Sequence, residues 1–163
     1  MTEVAAPPQE PLAEEIAEAP KRRLLVFQVG DSAFAAAMNT VREIVPAQTV
    51  TRLPGAPATV SGLINLRGTI VTVLDAGVCL GESPWRKKGG LVLLAGYGET
   101  VIGIGIDDVR DIHDAAEEQF SDAPVGARAN AAICGVVEIE DERVLLLDVQ
   151  TMVREVLGQE EAG

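Results

Sequence analysis

From residue 22 onward the apolar residues come in short runs separated by turn formers, which is the spacing of strands. Residues 24–29 form one run, and Gly30-Asp31 supplies a turn. Runs at 34–38 and 41–45 follow, before Pro54 and Pro57 impose a loop. Two more strands are predicted at 60–67 and 69–75. Residues 81–90, with Pro84 and two adjacent glycines, read as a linker. Strands resume at 91–95, 100–106 and 109–112, ahead of an acidic, Ala-rich loop over 113–130. Residues 133–139 and 143–147 predict a hairpin across Glu140-Asp141-Glu142. The period then changes. Val149, Met152, Val153, Val156 and Leu157 recur at i, i+3, i+4, i+7 and i+8, with Asp148 as N-cap and Gly158 as the stop.

Alternation assigns faces to these strands. Val41 and Glu43 are expected to share one face, and Arg42 and Ile44 the other. Ile64 and Leu66 form a natural core pair, so Leu63, Asn65 and Arg67 share the opposite face. Asn65 and Arg67 then project outward together. Ile102, Ile104 and Ile106 point one way. Gly103 and Gly105 point the other and leave bare backbone.

An internal repeat underlies the pattern. Val41-Arg42-Glu43-Ile44 returns as Val109-Arg110-Asp111-Ile112, an offset of 68. Gly62 to Asp75 spans 14 residues, as does Gly135 to Asp148, an offset of 73. Two copies built of short strands predict two similar small β-barrels, because closed barrels remove exposed sheet edges.

Composition narrows the picture. Of 163 residues 47% are apolar but only 3% aromatic, so the core must be built from aliphatic side chains. The net charge is −12, and residues 1–20 hold five Glu with no Lys or Arg. Such a surface repels phosphate backbones, so nucleic acid is not an expected partner. The Ala-, Pro- and Glu-rich stretch 1–20 is expected to be a disordered tail, 21–158 the folded domain, and 159–163 a second acidic tail. Arg86, Lys87 and Lys88 read as a solvated basic loop. No apolar run reaches the roughly 20 residues of a membrane helix, and the N-terminus lacks the features of a signal peptide. A cytoplasmic protein with reduced, buried Cys79 and Cys134 is expected.

Catalytic chemistry is not in view. His113 is the single histidine, and no second ligand stands at metal-binding spacing from it. The two cysteines are 55 residues apart. Gly103-Ile104-Gly105 starts like a dinucleotide fingerprint, but Asp108 occupies the third glycine position. Asp107-Asp108 has no converging partner, and a hairpin end accounts for it. No enzyme activity, cofactor or metal is expected.

The stretch Pro54-x-Ala56-Pro57, then Val60-x-Gly62-Leu63-Ile64-Asn65-Leu66-Arg67-Gly68-Thr69-Ile70 and on to Val73-Leu74-Asp75, resembles the hallmark segment of CheW domains. Ile102-Gly103-Ile104 with Asp107 and Val109, and Cys134-Gly135-Val136-Val137 with Leu145-Leu146-Leu147-Asp148, resemble the family's second half. The resemblance covers about residues 23–157. It implies an all-β fold of two five-stranded SH3-like barrels sharing a hydrophobic core, with a C-terminal helix. It implies a non-catalytic adaptor between methyl-accepting chemoreceptor tips and the regulatory domain of a CheA-type histidine kinase. The membrane is then reached only through receptors, at arrays on the inner membrane. Thr72 and Ala76 stand where the family usually has Pro and Leu, which points to a divergent member serving chemotaxis, pilus motility or development. By the same resemblance, Val41, Glu43, Asn65, Arg67, Val109 and Ile112 map to the receptor groove. A pair between Glu43 and Arg67 is expected to shape it. Ser61 and Gly62 are the candidates for kinase contact. The alternative is a stand-alone β-barrel with a small-molecule pocket between the barrels, against which the scarcity of aromatics argues.

Overall fold

The computed structural model describes residues 21–47, 50–85, 90–126 and 130–162. The strands are β1 (Lys21–Val29), β2 (Ser32–Ala37), β3 (Val41–Pro46), β4 (Val60–Leu66), β5 (Thr69–Asp75), β6 (Leu91–Tyr97), β7 (Thr100–Ile106), β8 (Asp108–Ala116), β9 (Phe120–Ser121), β10 (Ile133–Ile139) and β11 (Glu142–Leu147). Helix α1 (Ala76–Cys79) is one turn, and α2 (Val149–Ala162) closes the chain. The expected tail 1–20 and basic loop at 86–88 lie outside the described residues, as do the side chains of the expected 159–163 tail.

Two sheets form, in the orders β3-β6-β7-β5-β4 and β8-β1-β2-β11-β10-β9. Their first five strands follow one plan. β3 corresponds to β8, β6 to β1, β7 to β2, β5 to β11 and β4 to β10. Each sheet has a parallel pair at the same place, β5 with β7 and β11 with β2. The repeat is therefore real, but neither barrel is a contiguous half of the chain. Hairpin β1-β2 completes the barrel of the second half, and hairpin β6-β7 completes that of the first.

This exchange explains the apolar runs. Leu24 and Val26 fill the second barrel, while Leu25, Phe27 and Val29 face a core shared by both barrels. On β6, Val92 and Leu94 fill the first barrel, and Leu93 and Ala95 join the shared core. Strands buried on both faces need no polar alternation. Ile102, Ile104 and Ile106 also enter the shared core, as expected, together with Met152, Val153 and Val156 of α2. Asp148 caps α2, accepting from the Thr151 N–H at 3.2 Å. By the repeat Asp75 is its counterpart, and it caps α1 from the Val78 N–H at 3.1 Å.

Several expectations are corrected. α2 does not stop at Gly158; that residue is not among those with positive φ, so it stays in the helix, which runs to Ala162. β8 continues through Ala116 because it pairs with the full length of β1, so His113 sits within a strand. Cys134 is exposed, since it is the unpaired residue of a bulge between Ile133 and Gly135. Residues 81–85 are more than a linker, because Trp85 is buried.

Candidate functional site

The segment Asn65-Leu66-Arg67-Gly68 makes its own turn. Arg67 (φ 51°) and Gly68 (φ 88°) both take left-handed backbone, the requirement of the tight hairpin between β4 and β5. The Asn65 Oδ1 accepts the Gly68 N–H at 2.9 Å and pins the turn. Arg67 is therefore a turn residue, not the end of a strand as expected. From there its guanidinium reaches Glu43 on β3, with Nη2 to Oε1 at 2.6 Å and Nη1 to Oε2 at 3.2 Å. The expected pair thus forms, and it is two-pronged. It ties together β3 and the β4-β5 hairpin, which stand at opposite edges of one sheet. The hydrogen bonds from Arg67 hold the Glu43 carboxyl below its ordinary range and raise the Arg67 guanidinium. Both side chains are largely in water, at 68% and 40% exposure, so the pair shapes a surface more than it stabilises the fold.

Val41 does not share an open face with Glu43. Arg42 is the extra residue of a bulge between Val41 and Glu43, which resets the alternation. Val41 is half-buried and packs with Ile44 against the shared core. Val109, its counterpart on β8, packs there too, while Ile112 is 52% exposed. Val41 and Val109 thus flank the one core common to both barrels, with Glu43, Arg67 and Asn65 at one margin and Ile112 on β8.

Ser61 is half-buried and is likewise a bulge residue, between Val60 and Gly62. Gly62 is buried. Its φ of 147° suits glycine, and a Cβ there would collide with the Thr51 carbonyl. Thr51 exchanges two backbone hydrogen bonds with Leu63, at 2.8 and 2.9 Å, and covers the free edge of β4. Ser121 of β9 covers β10 beside Gly135 in the same manner. Gly62 is therefore a backbone position beneath its neighbour, not an open contact surface.

Sequence reasoning missed Asp75 and Trp85. The Trp85 backbone N–H donates to both Asp75 carboxylate oxygens at 3.0 and 3.1 Å, and its indole Nε1–H donates to the Ile106 carbonyl at 2.9 Å. The ring covers Gly105, where no side chain would fit. The bare backbone at Gly103 and Gly105 was the available signal. A cleft of about 540 Å3 opens between α1, β11 and α2. Phe34, Leu145 and Met152 line it, with the Thr59 Oγ1, which is buried without a hydrogen-bond partner among the described residues. Among the described residues no three His, Cys, Asp or Glu groups gather to hold a metal, and no helix is long and apolar enough to cross a membrane.

A family model described as CheW-like domain matches residues 23–157. A chemotaxis protein CheW of Rhizobium meliloti is 30% identical over 136 residues, covering 80% of this chain and 86% of that protein. A protein PilI of Pseudomonas aeruginosa is 30% identical over 118 residues, covering 70% and 66%. The crystal structure of the scaffolding protein TtCheW from Thermoanaerobacter tengcongensis superposes with a TM-score of 0.73 at 20% identity, over 81% of this chain and 92% of that one. That likeness shows the two-barrel fold.

Proposed function

The chain belongs to the CheW-like domain family, and on that premise we propose that it is a non-catalytic adaptor that couples chemoreceptor signalling tips to the regulatory domain of a CheA-type histidine kinase. Its pathway is chemotaxis or a related motility system, and its place is the cytoplasmic side of receptor arrays. The observation that carries this reading is the family match over 23–157, together with an exposed margin built from Glu43, Arg67 and Asn65 beside the shared core. Val41, Val109 and Ile112 supply the apolar part of the receptor surface. A helical receptor tip suits such a surface, because apolar contacts give affinity and a charged rim sets register. Kinase contact is assigned to the neighbourhood of Ser61; Gly62 serves it by holding the backbone of that bulge.

The test is co-sedimentation with receptor-bearing membranes and a CheA-type kinase, using the native chain and Arg67→Glu. The native chain should bring kinase and receptor into one pellet. Arg67→Glu should fold, judged by its unfolding midpoint, and lose receptor binding. A folded Arg67→Glu chain with undiminished binding would sink the assignment of the groove. Failure of the native chain to bind either partner would sink the adaptor reading. Recovery of a small molecule in the cleft between α1 and α2 would then favour the pocket alternative.

A further inference from the structure

The two barrels differ at one pair of equivalent arginines. Each is the extra residue of a bulge, Arg42 between Val41 and Glu43 on β3 and Arg110 between Val109 and Asp111 on β8. Arg110 is clamped by Glu142, with Nη1 to Oε2 at 3.2 Å and Nη2 to Oε1 at 3.3 Å. Glu142 opens the returning strand of the β10-β11 hairpin, opposite Ile139. The same place in the β4-β5 hairpin, opposite Leu66, is held by the uncharged Thr69. The strand beneath also differs. Register equates Gly96 of β6 with Gln28 of β1, since Ala95 pairs with Val41 and Phe27 with Val109. With no side chain at 96, the Arg42 guanidinium lies down over the β6 backbone. A Cβ at Gly96 would stand 2.7 Å from both its Nε and its Nη2.

Among the described residues the Arg42 guanidinium has no ion pair and no hydrogen bond. The neighbouring carboxylate, Glu43, is taken by Arg67. Arg42 borders a polar recess of about 310 Å3, walled by Asn39, Thr40, Gly98 and Gln150. The Gln150 amide is tied down, donating to the Gly96 carbonyl at 2.6 Å. The Asn39 amide has no partner among the described residues.

A guanidinium presents its donors in a planar fork that matches the two oxygens of a carboxylate. The second barrel shows that use, with Glu142 two-pronged on Arg110. In the first barrel the same fork is unclaimed, and Asn39 adds donors beside it. Thr40 and Arg42 flank Val41 in the chain, so the recess adjoins the apolar part of the receptor surface. Val109 stands in the same relation to Arg110, where Glu142 has already filled the fork. A partner that meets both valines finds a free cation beside one of them only. That difference selects which way round the partner lies.

We propose that the Arg42 recess takes a carboxylate side chain of the receptor tip, two-pronged on the guanidinium, and so sets the orientation of the tip across the two barrels. The identity of the partner rests on the coupling function proposed above; the carboxylate site does not.

In a first measurement acetate is titrated into the 15N-labelled chain while the arginine Nε–Hε NMR peaks are followed, with sodium chloride as the ionic control. The two peaks are identified by their loss in Arg42→Lys and Arg110→Lys. The Arg42 peak should shift saturably with acetate and not with chloride, while the Arg110 peak stays fixed. Equal shifts of both peaks, or none at Arg42, would overturn the site whatever the receptor does. A Glu99→Gln chain is titrated alongside, because Glu99 follows Gly98 in the β6-β7 turn. An Arg42 peak that responds to acetate only in that chain would make Glu99 the occupant and overturn the proposal.

In a second measurement receptor-bearing membranes are sedimented with the native, Arg42→Gln and Arg143→Gln chains. Arg143→Gln removes the same charge from an exposed position on β11. All three should share one unfolding midpoint. Arg42→Gln should bind about fivefold more weakly, with a smaller dependence on salt. Undiminished binding by Arg42→Gln would overturn the proposal, and so would an equal loss in Arg143→Gln, which is a diffuse charge effect. A native chain that does not sediment overturns the coupling function and removes the receptor as partner; the acetate titration then decides the recess by itself.

Discussion

The buried Asp75 carboxylate holds the backbone N–H of Trp85 at 3.0 and 3.1 Å while it caps α1 through the Val78 N–H. One side chain therefore fixes both the exit of β5 and the tryptophan that fills the first barrel. Replacing Asp75 with Ala leaves two donors unpaired and should lower stability by about 1–3 kcal/mol. The measurement is urea denaturation. Trp85 is the single tryptophan, so its native emission should also shift to longer wavelength.

Gly62 and Gly135 occupy equivalent bulges but face unequal constraints. A Cβ at 62 meets the Thr51 carbonyl with φ at 147°, whereas at 135 the nearest atom is the Ser121 carbonyl at 3.1 Å. Gly62→Ala should cost about 1–3 kcal/mol. Gly135→Ala should cost distinctly less. Thermal unfolding of the two variants side by side checks the order.

The two thiols should react differently. Burial, with the Asp75 carboxylate nearby, pushes the Cys79 thiol up to about 12. Cys134 is exposed. At pH 8 a thiol reagent should modify the exposed Cys134 faster than the half-buried Cys79 in the folded protein, and the two rates should converge in denaturant. A raised thiol also sets a pH trend. The unfolded thiol ionises near ~8.5, so its contribution to stability is complete below that pH. It is lost as pH rises from there toward about 12. Unfolding midpoints from pH 7 to 10 should fall, and Cys79→Ala should flatten the fall.

The Glu43 carboxyl lies below its ordinary range because Arg67 donates to it. A depressed carboxylate contributes above its unfolded value, near ~4.3, and the contribution is lost as pH falls through the folded value. An NMR titration should show Glu43 returning to the ordinary range in Arg67→Met. Added salt should weaken the difference, since both groups meet water.

Much of the site was local and so legible. Arg67 and Gly68 are a tight turn wherever they stand, because Asn65, a left-handed residue and a glycine need only each other. The reach from Arg67 to Glu43 was stated from the exposed strand faces and the family resemblance, and the geometry agrees. The face of Val41 was misread because a bulge is invisible to alternation. Arg42 looks like any strand residue until the partner strand shows which position is skipped. Trp85 was passed over because a buried tryptophan just ahead of a Gly-rich stretch gives no periodic signal.

The sequence by itself determined the positions of most strands, the cap at Asp148, the duplication, and the glycines at 62, 103 and 105. The strands and the cap rest on preferences that act within a few residues and the duplication on likeness between the two halves, whereas the need for glycine at 62 and 105 comes from Thr51 and Trp85. The tertiary structure decided which strands pair. Hairpins β1-β2 and β6-β7 are both strongly apolar, and no local pattern says that each joins the sheet of the other half of the chain; packing across both barrels does. That selection also sets Arg42 over Gly96 and Arg110 against Glu142, and makes two copies of one motif unlike.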